Sequence, residues 1–148
     1  MAMVDVTAKP EVYRMARAKG QIRLRKETIQ RIRKGRVEKG NPFQTAKIAA
    51  IMAAKNTSGI IPLCHPIPIT SIEVKLRILD DRTVEAEATV KTKAQTGVEM
   101  EALIAVSTAL LTVWDMTKQY EKDEEGQYPG TIIQDVRVIR KMKEAANE

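Results

Sequence analysis

Two stretches near the middle of the chain alternate apolar and polar residues without a break. Ile72, Val74, Leu76 and Ile78 interleave with Glu73, Lys75 and Arg77, and Val84, Ala86, Ala88 and Val90 with Glu85, Glu87 and Thr89. A two-residue period puts every apolar side chain on one face of a strand. Asp80-Asp81-Arg82 between them supplies the turn, so the pair is predicted to be a hairpin. A looser, imperfect alternation runs from Val12 to Leu24, with Val12, Arg14, Ala16, Ala18, Gly20, Ile22 and Leu24 on one parity and Tyr13, Met15, Arg17, Lys19, Gln21 and Arg23 on the other. It predicts a further strand with one buried face. Thr131 to Ile139 reads as a last strand, with Met1 to Met3 and Lys141 to Glu148 as loose ends.

Elsewhere the period lengthens. Ile29 and Ile32 are three apart and Gly35 follows, which predicts a short helix over Lys26 to Lys34. Asn41-Pro42 is a helix start, a capping side chain followed by proline at the first helical position, and an alanine-rich helix runs on to Lys55. After Thr96-Gly97 a long helix is expected from about Val98 to Glu121, its inward stripe being Met100, Leu103, Ser107, Leu110, Leu111, Trp114 and Thr117. The order β-αα-β-β-α-β predicts an α+β, ferredoxin-like βαββαβ sandwich, an antiparallel sheet with helices packed on one face. All 148 residues are expected to form one domain.

Composition adjusts this picture in three ways. Aromatic residues make up only 3% of the chain, so the core must be aliphatic. The net charge is +6, and Arg14 to Lys39 is densely basic against only Glu27 and Glu38. Such a run suits a nucleic acid or a small polyphosphate equally, or is simply a solvated face. No run approaches eighteen apolar residues and the start has no apolar leader, so neither a membrane nor a secretory role is expected. A single cysteine cannot form an internal disulfide, and a cytoplasmic location is expected.

Candidate chemistry centres on Ile60 to Thr70, which holds the only histidine and the only cysteine, side by side, among three of the six prolines. Prolines stiffen the segment and push their neighbours to extended conformations. Neighbours on an extended segment point opposite ways, so Cys64 is expected toward the core and His65 toward a cleft. A lone histidine is commonly structural; the rigid Leu-Cys-His-Pro frame weighs against that here, and His65 offers a hydrogen bond or a proton near neutral pH. No third ligand lies nearby in sequence, so the pair is not expected to hold a metal. Lys39-Gly40 stands just before a helix N-terminus, a favourable place for phosphate. Glu99 and Glu101 open the long helix and Asp115 and Lys118 lie near its end. Helix-dipole and surface ion-pair explanations serve for both groups. Glu101 and Asp115 are fourteen positions apart, or ~21 Å along a helix, so one small atom cannot touch both. If both ends function, the ligand is long or a second subunit completes the site.

Several of these blocks occur together in one known family. Met3-Val4-Asp5-Val6, Lys39-Gly40, Ile61-Pro62-Leu63-Cys64-His65-Pro66, Thr96-Gly97-Val98-Glu99-Met100-Glu101-Ala102-Leu103, and Asp115-Met116 with Lys118 resemble the MoaC family, the cyclic pyranopterin monophosphate synthases of molybdenum cofactor biosynthesis. The resemblance runs from Met3 to about Asp123. It implies a ferredoxin-like subunit in a homohexamer, a trimer of dimers with sites at the dimer interface. It also implies rearrangement of a 3′,8-cyclised dihydro-GTP, supplied by a radical enzyme, to a cyclic pterin monophosphate with loss of diphosphate. On that basis Leu63, Cys64, His65, Glu99, Met100 and Glu101 bind substrate, and Asp115, Lys118 and Lys39 are catalytic. Arg14 and Arg17 are added as candidate triphosphate contacts. No cofactor is implied, and whether Mg²⁺ accompanies the triphosphate stays open.

The chain departs at its end from many members of the family, especially bacterial ones, whose Lys-Ser-Gly-Gly-Lys type tail gives way here to Arg137 to Glu148; Arg140, Lys141 or Lys143 are the cations available in its place. A basic ferredoxin-like nucleic-acid-binding module is the rival. RNA-binding members of that topology stack bases on sheet aromatics, and neither hairpin strand carries one. A scaffold that has lost its chemistry is the other alternative, against which the retained Lys39, His65, Glu101, Asp115 and Lys118 speak.

Overall fold

The computed structural model describes residues 1–144. Its elements are β1 (Val12–Arg23), α1 (Lys26–Arg33), α2 (Pro42–Lys55), α3 (Thr57–Ile60), β2 (Ile69–Ile78), β3 (Thr83–Ala94), α4 (Glu99–Glu121) and β4 (Ile132–Lys143). The strands form one sheet in the order β2-β3-β1-β4, with every neighbouring pair antiparallel. That is the α+β ferredoxin-like arrangement the element order implied. The hairpin pairs as its alternation requires, Ile72 opposite Val90, Val74 opposite Ala88 and Ile78 opposite Val84.

Small residues decide how the layers meet. Ala16 and Ala18 on β1, Ala86 and Ala88 on β3, and Ala102, Ala105 and Ala109 on α4 are fully buried. At Gly20 a methyl group would lie 2.8 Å from Val136 and 3.0 Å from Val106 and Leu110, so glycine is what lets α4 settle directly on β1. The inward face of α4 is accordingly Glu101, Ala102, Ala105, Val106, Ala109, Leu110, Val113, Met116, Thr117 and Glu121. Of the stripe expected from the sequence only Leu110 and Thr117 are buried, while Met100 and Leu111 face outward. By length and mean hydropathy (1.3) α4 could cross a membrane, but half of that window is buried inside the fold.

Two local differences matter later. The strand expected to stop at Ile139 continues through Lys143, because β1 still offers partners: Ala16 opposite Lys141, Met15 opposite Met142 and Arg14 opposite Lys143. The tail expected to be loose from Lys141 is therefore ordered through Lys143. Residues 145–148 lie outside the described residues. The short α3 was not anticipated. It directly precedes Ile61, where the chain turns into the histidine segment.

Candidate active site

The proline-rich segment begins with a turn rather than an extended run. The Cys64 N–H donates to the Ile61 carbonyl at 3.1 Å, which bends the chain over Pro62 and Leu63. As a result Leu63, Cys64 and His65 all reach one cleft of about 280 Å³, whose other wall is Thr96, Gly97, Glu99 and Met100. The expectation that Cys64 points to the core is corrected by this turn: the side chain is half-buried at the cleft wall. Burial, with a smaller push from Glu101, raises its thiol pKa, so it stands as a neutral thiol at neutral pH.

Glu99 and Glu101 begin α4 but do different things. The Glu99 side chain curls back over Gly97, where a Cβ would come within 2.3 Å of one carboxylate oxygen. Lys141, in the part of β4 that was expected to be loose, places Nζ 3.4 Å from Glu99 Oε1. Of the three cations available in place of a glycine-rich tail, Lys141 is the one paired with a carboxylate of the cleft wall. Glu101 is only 2% exposed, and its Oε1 has no hydrogen-bond partner. Burial holds its carboxyl above the ordinary glutamate range, and the Glu99 charge adds to this. Burial and a raised pKa are the marks of a carboxyl suited to exchanging a proton with a reactant.

The second group lies toward the other end of α4. Lys118 Nζ is 3.1 Å from Asp115 Oδ1, and Lys39 Nζ is 3.3 Å from Oδ2 and 3.0 Å from the Asp115 carbonyl. Hydrogen bonds from Lys118 and then Lys39 lower the Asp115 pKa. Lys39 arrives there because the α1–α2 loop docks on α4: Val37 is buried, and the Glu38 N–H donates to the Tyr120 hydroxyl at 2.9 Å. Gly40, at φ 120°, then turns the chain into α2. Asn41 caps that helix, accepting from the N–H groups of Phe43 and Gln44.

The structure thus gathers Leu63, Cys64, His65, Glu99, Met100 and Glu101 at one end of α4, and Lys39, Asp115 and Lys118 toward the other. It does not bring Arg14 and Arg17 to either group as free cations. Arg14 donates to the carbonyls of Ala94 and Gln95 and so braces the turn before α4. Arg17 lies on the sheet face away from the helices, bonded to Thr89 and 3.8 Å from Glu87. That face is a lattice of paired charges, with Arg77 held to Glu85 as well. Val4, Val6 and Lys9, which also line the cleft, were not singled out as site residues. The Asp-x-Thr turn signal at Asp5 hinted that the arm had a fixed shape. Among the described residues no three His, Cys, Asp or Glu side chains gather to hold a metal ion.

Fold and site together define a ferredoxin-like α+β protein with acid–base side chains clustered toward both ends of a single core helix. The chain belongs to the MoaC family, whose sequence profile matches residues 3–144. It is 57% identical over 141 residues to a "probable cyclic pyranopterin monophosphate synthase" of Methanosarcina acetivorans, covering 95% of this chain and 89% of that one. It is 55% identical, over 95% of this chain and 88% of the relative, both to a protein of that name from Pyrococcus abyssi and to a "probable cyclic pyranopterin monophosphate synthase accessory protein" of Methanothermobacter thermautotrophicus.

Proposed function

We propose that this protein is a cyclic pyranopterin monophosphate synthase of molybdenum cofactor biosynthesis, a lyase. It takes (8S)-3′,8-cyclo-7,8-dihydroguanosine 5′-triphosphate to cyclic pyranopterin monophosphate and diphosphate. The observation that carries this is the unbroken family match over residues 3–144, which includes both groups of acid–base side chains. No aromatic residue lies on β2 or β3, so the hairpin offers no platform on which bases could stack.

The chemistry asked of the two groups differs. Cyclising a phosphate with departure of diphosphate builds negative charge on phosphoryl oxygens, which preorganised ammonium groups stabilise. Lys39 and Lys118, held in place by Asp115, supply them. Opening and reclosing a purine-derived ring needs protons delivered and removed at several atoms. Glu101, His65 and Glu99 are the groups at this end of the helix that exchange protons. Because ~21 Å of helix separates the groups, the complete site combines the His65 end of one subunit with the Asp115 end of another. A two-fold dimer forms two such sites. The resemblance extends this to three dimers in a hexamer, working downstream of a radical enzyme that cyclises GTP.

The test is direct assay of the purified protein with the cyclised dihydro-GTP, following diphosphate and the cyclic pterin. Asp115→Ala and Lys39→Ala are expected to lose about 100-fold or more in turnover with unchanged circular dichroism. A folded native protein that turns over none of a verified substrate overturns the proposal.

A further inference from the structure

The first residues of the chain form an exposed arm without regular secondary structure. Val4 is 69% exposed and Met3 44%, so the arm adds little to the core. Yet the backbone carbonyl of Val4 lies 2.7 Å from His65 Nε2, and Val4 and Val6 line the cleft described above. Val6 and His65 also border a second cavity of about 240 Å³ with Glu11, Pro66 and Gln95. The imidazole therefore stands in the partition between two cavities, and the arm holds one of its edges.

The arm reaches this position by bonds of its own. Asp5 accepts from the Thr7 N–H at 2.9 Å and from the Thr7 hydroxyl, a turn that fixes the backbone just after Val4. The Lys9 N–H donates to the Val6 carbonyl at 3.0 Å. Gln95 Nε2 donates to the Lys9 carbonyl at 3.1 Å, and Gln95 immediately precedes Thr96-Gly97. The arm is thus tied to the same turn that starts α4 and sets Glu99.

We propose that the arm is a positioning element for His65, acting through the Val4 carbonyl. A carbonyl oxygen only accepts, so the ring nitrogen facing it carries the proton. The neutral imidazole is fixed as the Nε2–H tautomer, with its lone pair on Nδ1 as the one site free to take a proton. The arm selects which nitrogen can act and closes that side of the cleft. The kinetic half of this inference rests on the synthase reading; the tautomer half does not.

His65 is the chain's only histidine, so long-range ¹H–¹⁵N spectra of uniformly labelled protein report a single imidazole. The intact protein is expected to show the Nε2–H tautomer at pH values where the ring is neutral. Deleting Ala2 to Val6 is expected to give averaged tautomer shifts, with the thermal midpoint moving by no more than a few degrees. Gln95→Ala, which loosens the arm but keeps Val4, should move the shifts the same way and by less. In the assay the deletion should lower kcat about tenfold, the size of a misplaced proton-transfer group, and shift the pH profile while changing KM less. An Nδ1–H tautomer in the intact protein, or identical spectra and kcat after the deletion, overturns the proposal. If the spectra change as expected while even the intact protein lacks turnover, the positioning role holds and the synthase reading falls.

Discussion

Glu101 is a charged residue type placed where charge is costly, with one oxygen unpartnered. Its folded pKa lies above the ordinary glutamate value of 4.5, so the native state binds the proton more tightly than the unfolded chain does. The associated stability is complete below that ordinary value and is lost as pH rises through the raised one. Glu101→Gln keeps the shape of the protonated group and removes the titration. Its thermal midpoint should gain on the parent's as pH is raised from 4 to 8; a constant difference across that range would contradict the assignment. Gly97 is the complementary case, a residue whose value lies in an absent atom. Gly97→Ala would displace the Glu99 carboxylate and break its pairing with Lys141. The clash is with the end of a flexible side chain, so the midpoint should stay within a few degrees while kcat/KM falls about tenfold or more. The sequence named both glutamates but not their difference. Glu101 lies at four-residue steps from Ala105, Ala109, Val113 and Thr117, all buried. That row of small residues was the available signal, and the expected stripe passed it over in favour of larger side chains.

At the scale of elements, alternation was decisive where one face is buried and the other wet, which is why the β2–β3 hairpin followed from the apolar positions and the turn between them. It was weaker for β4, an edge strand whose last turns of sequence are basic. There, backbone pairing with β1 is enough to continue the strand to Lys143, and no side-chain pattern records it. The helices depend on a feature that spacing could not reveal. Glu121, at the end of α4, is fully buried, and its carboxyl accepts from the Arg25 N–H at 3.0 and 3.2 Å, from the Thr28 hydroxyl, and from the Thr131 hydroxyl at 2.7 Å. Arg25 is the N-cap of α1 and supplies no side-chain cap of its own. One side chain thus caps α1 and ties α1, α4 and the start of β4 together. Glu121→Ala leaves several buried donors without partners, a cost of about 2–4 kcal/mol, or a drop of about 10 °C for a chain of this size. Chemical denaturation and a thermal melt would measure it. A change within a degree or two would mean that water replaces the carboxyl at no cost.

At the scale of the molecule, the separation of Glu101 and Asp115 was already legible in their spacing, because a helix of known rise cannot bring them together. The fold keeps that separation, since both residues belong to one unbroken helix. It also leaves Ile48 and Met52 on α2 and Leu111 on α4 more than half exposed, on two helices that pack against each other. Both features are accounted for if subunits pair so that the His65 end of one meets the Asp115 end of the other. His65→Ala and Asp115→Ala should then each be inactive as pure proteins and complementary when mixed. Each mixed dimer has one site that combines an intact Asp115 from one chain with an intact His65 from the other, and its second site carries both substitutions. With random pairing, about a quarter of the parent activity should return after co-expression or co-refolding. Sites built within single chains would give a mixture as inactive as its components, and the shared-site arrangement would have to be abandoned even if the protein proved oligomeric.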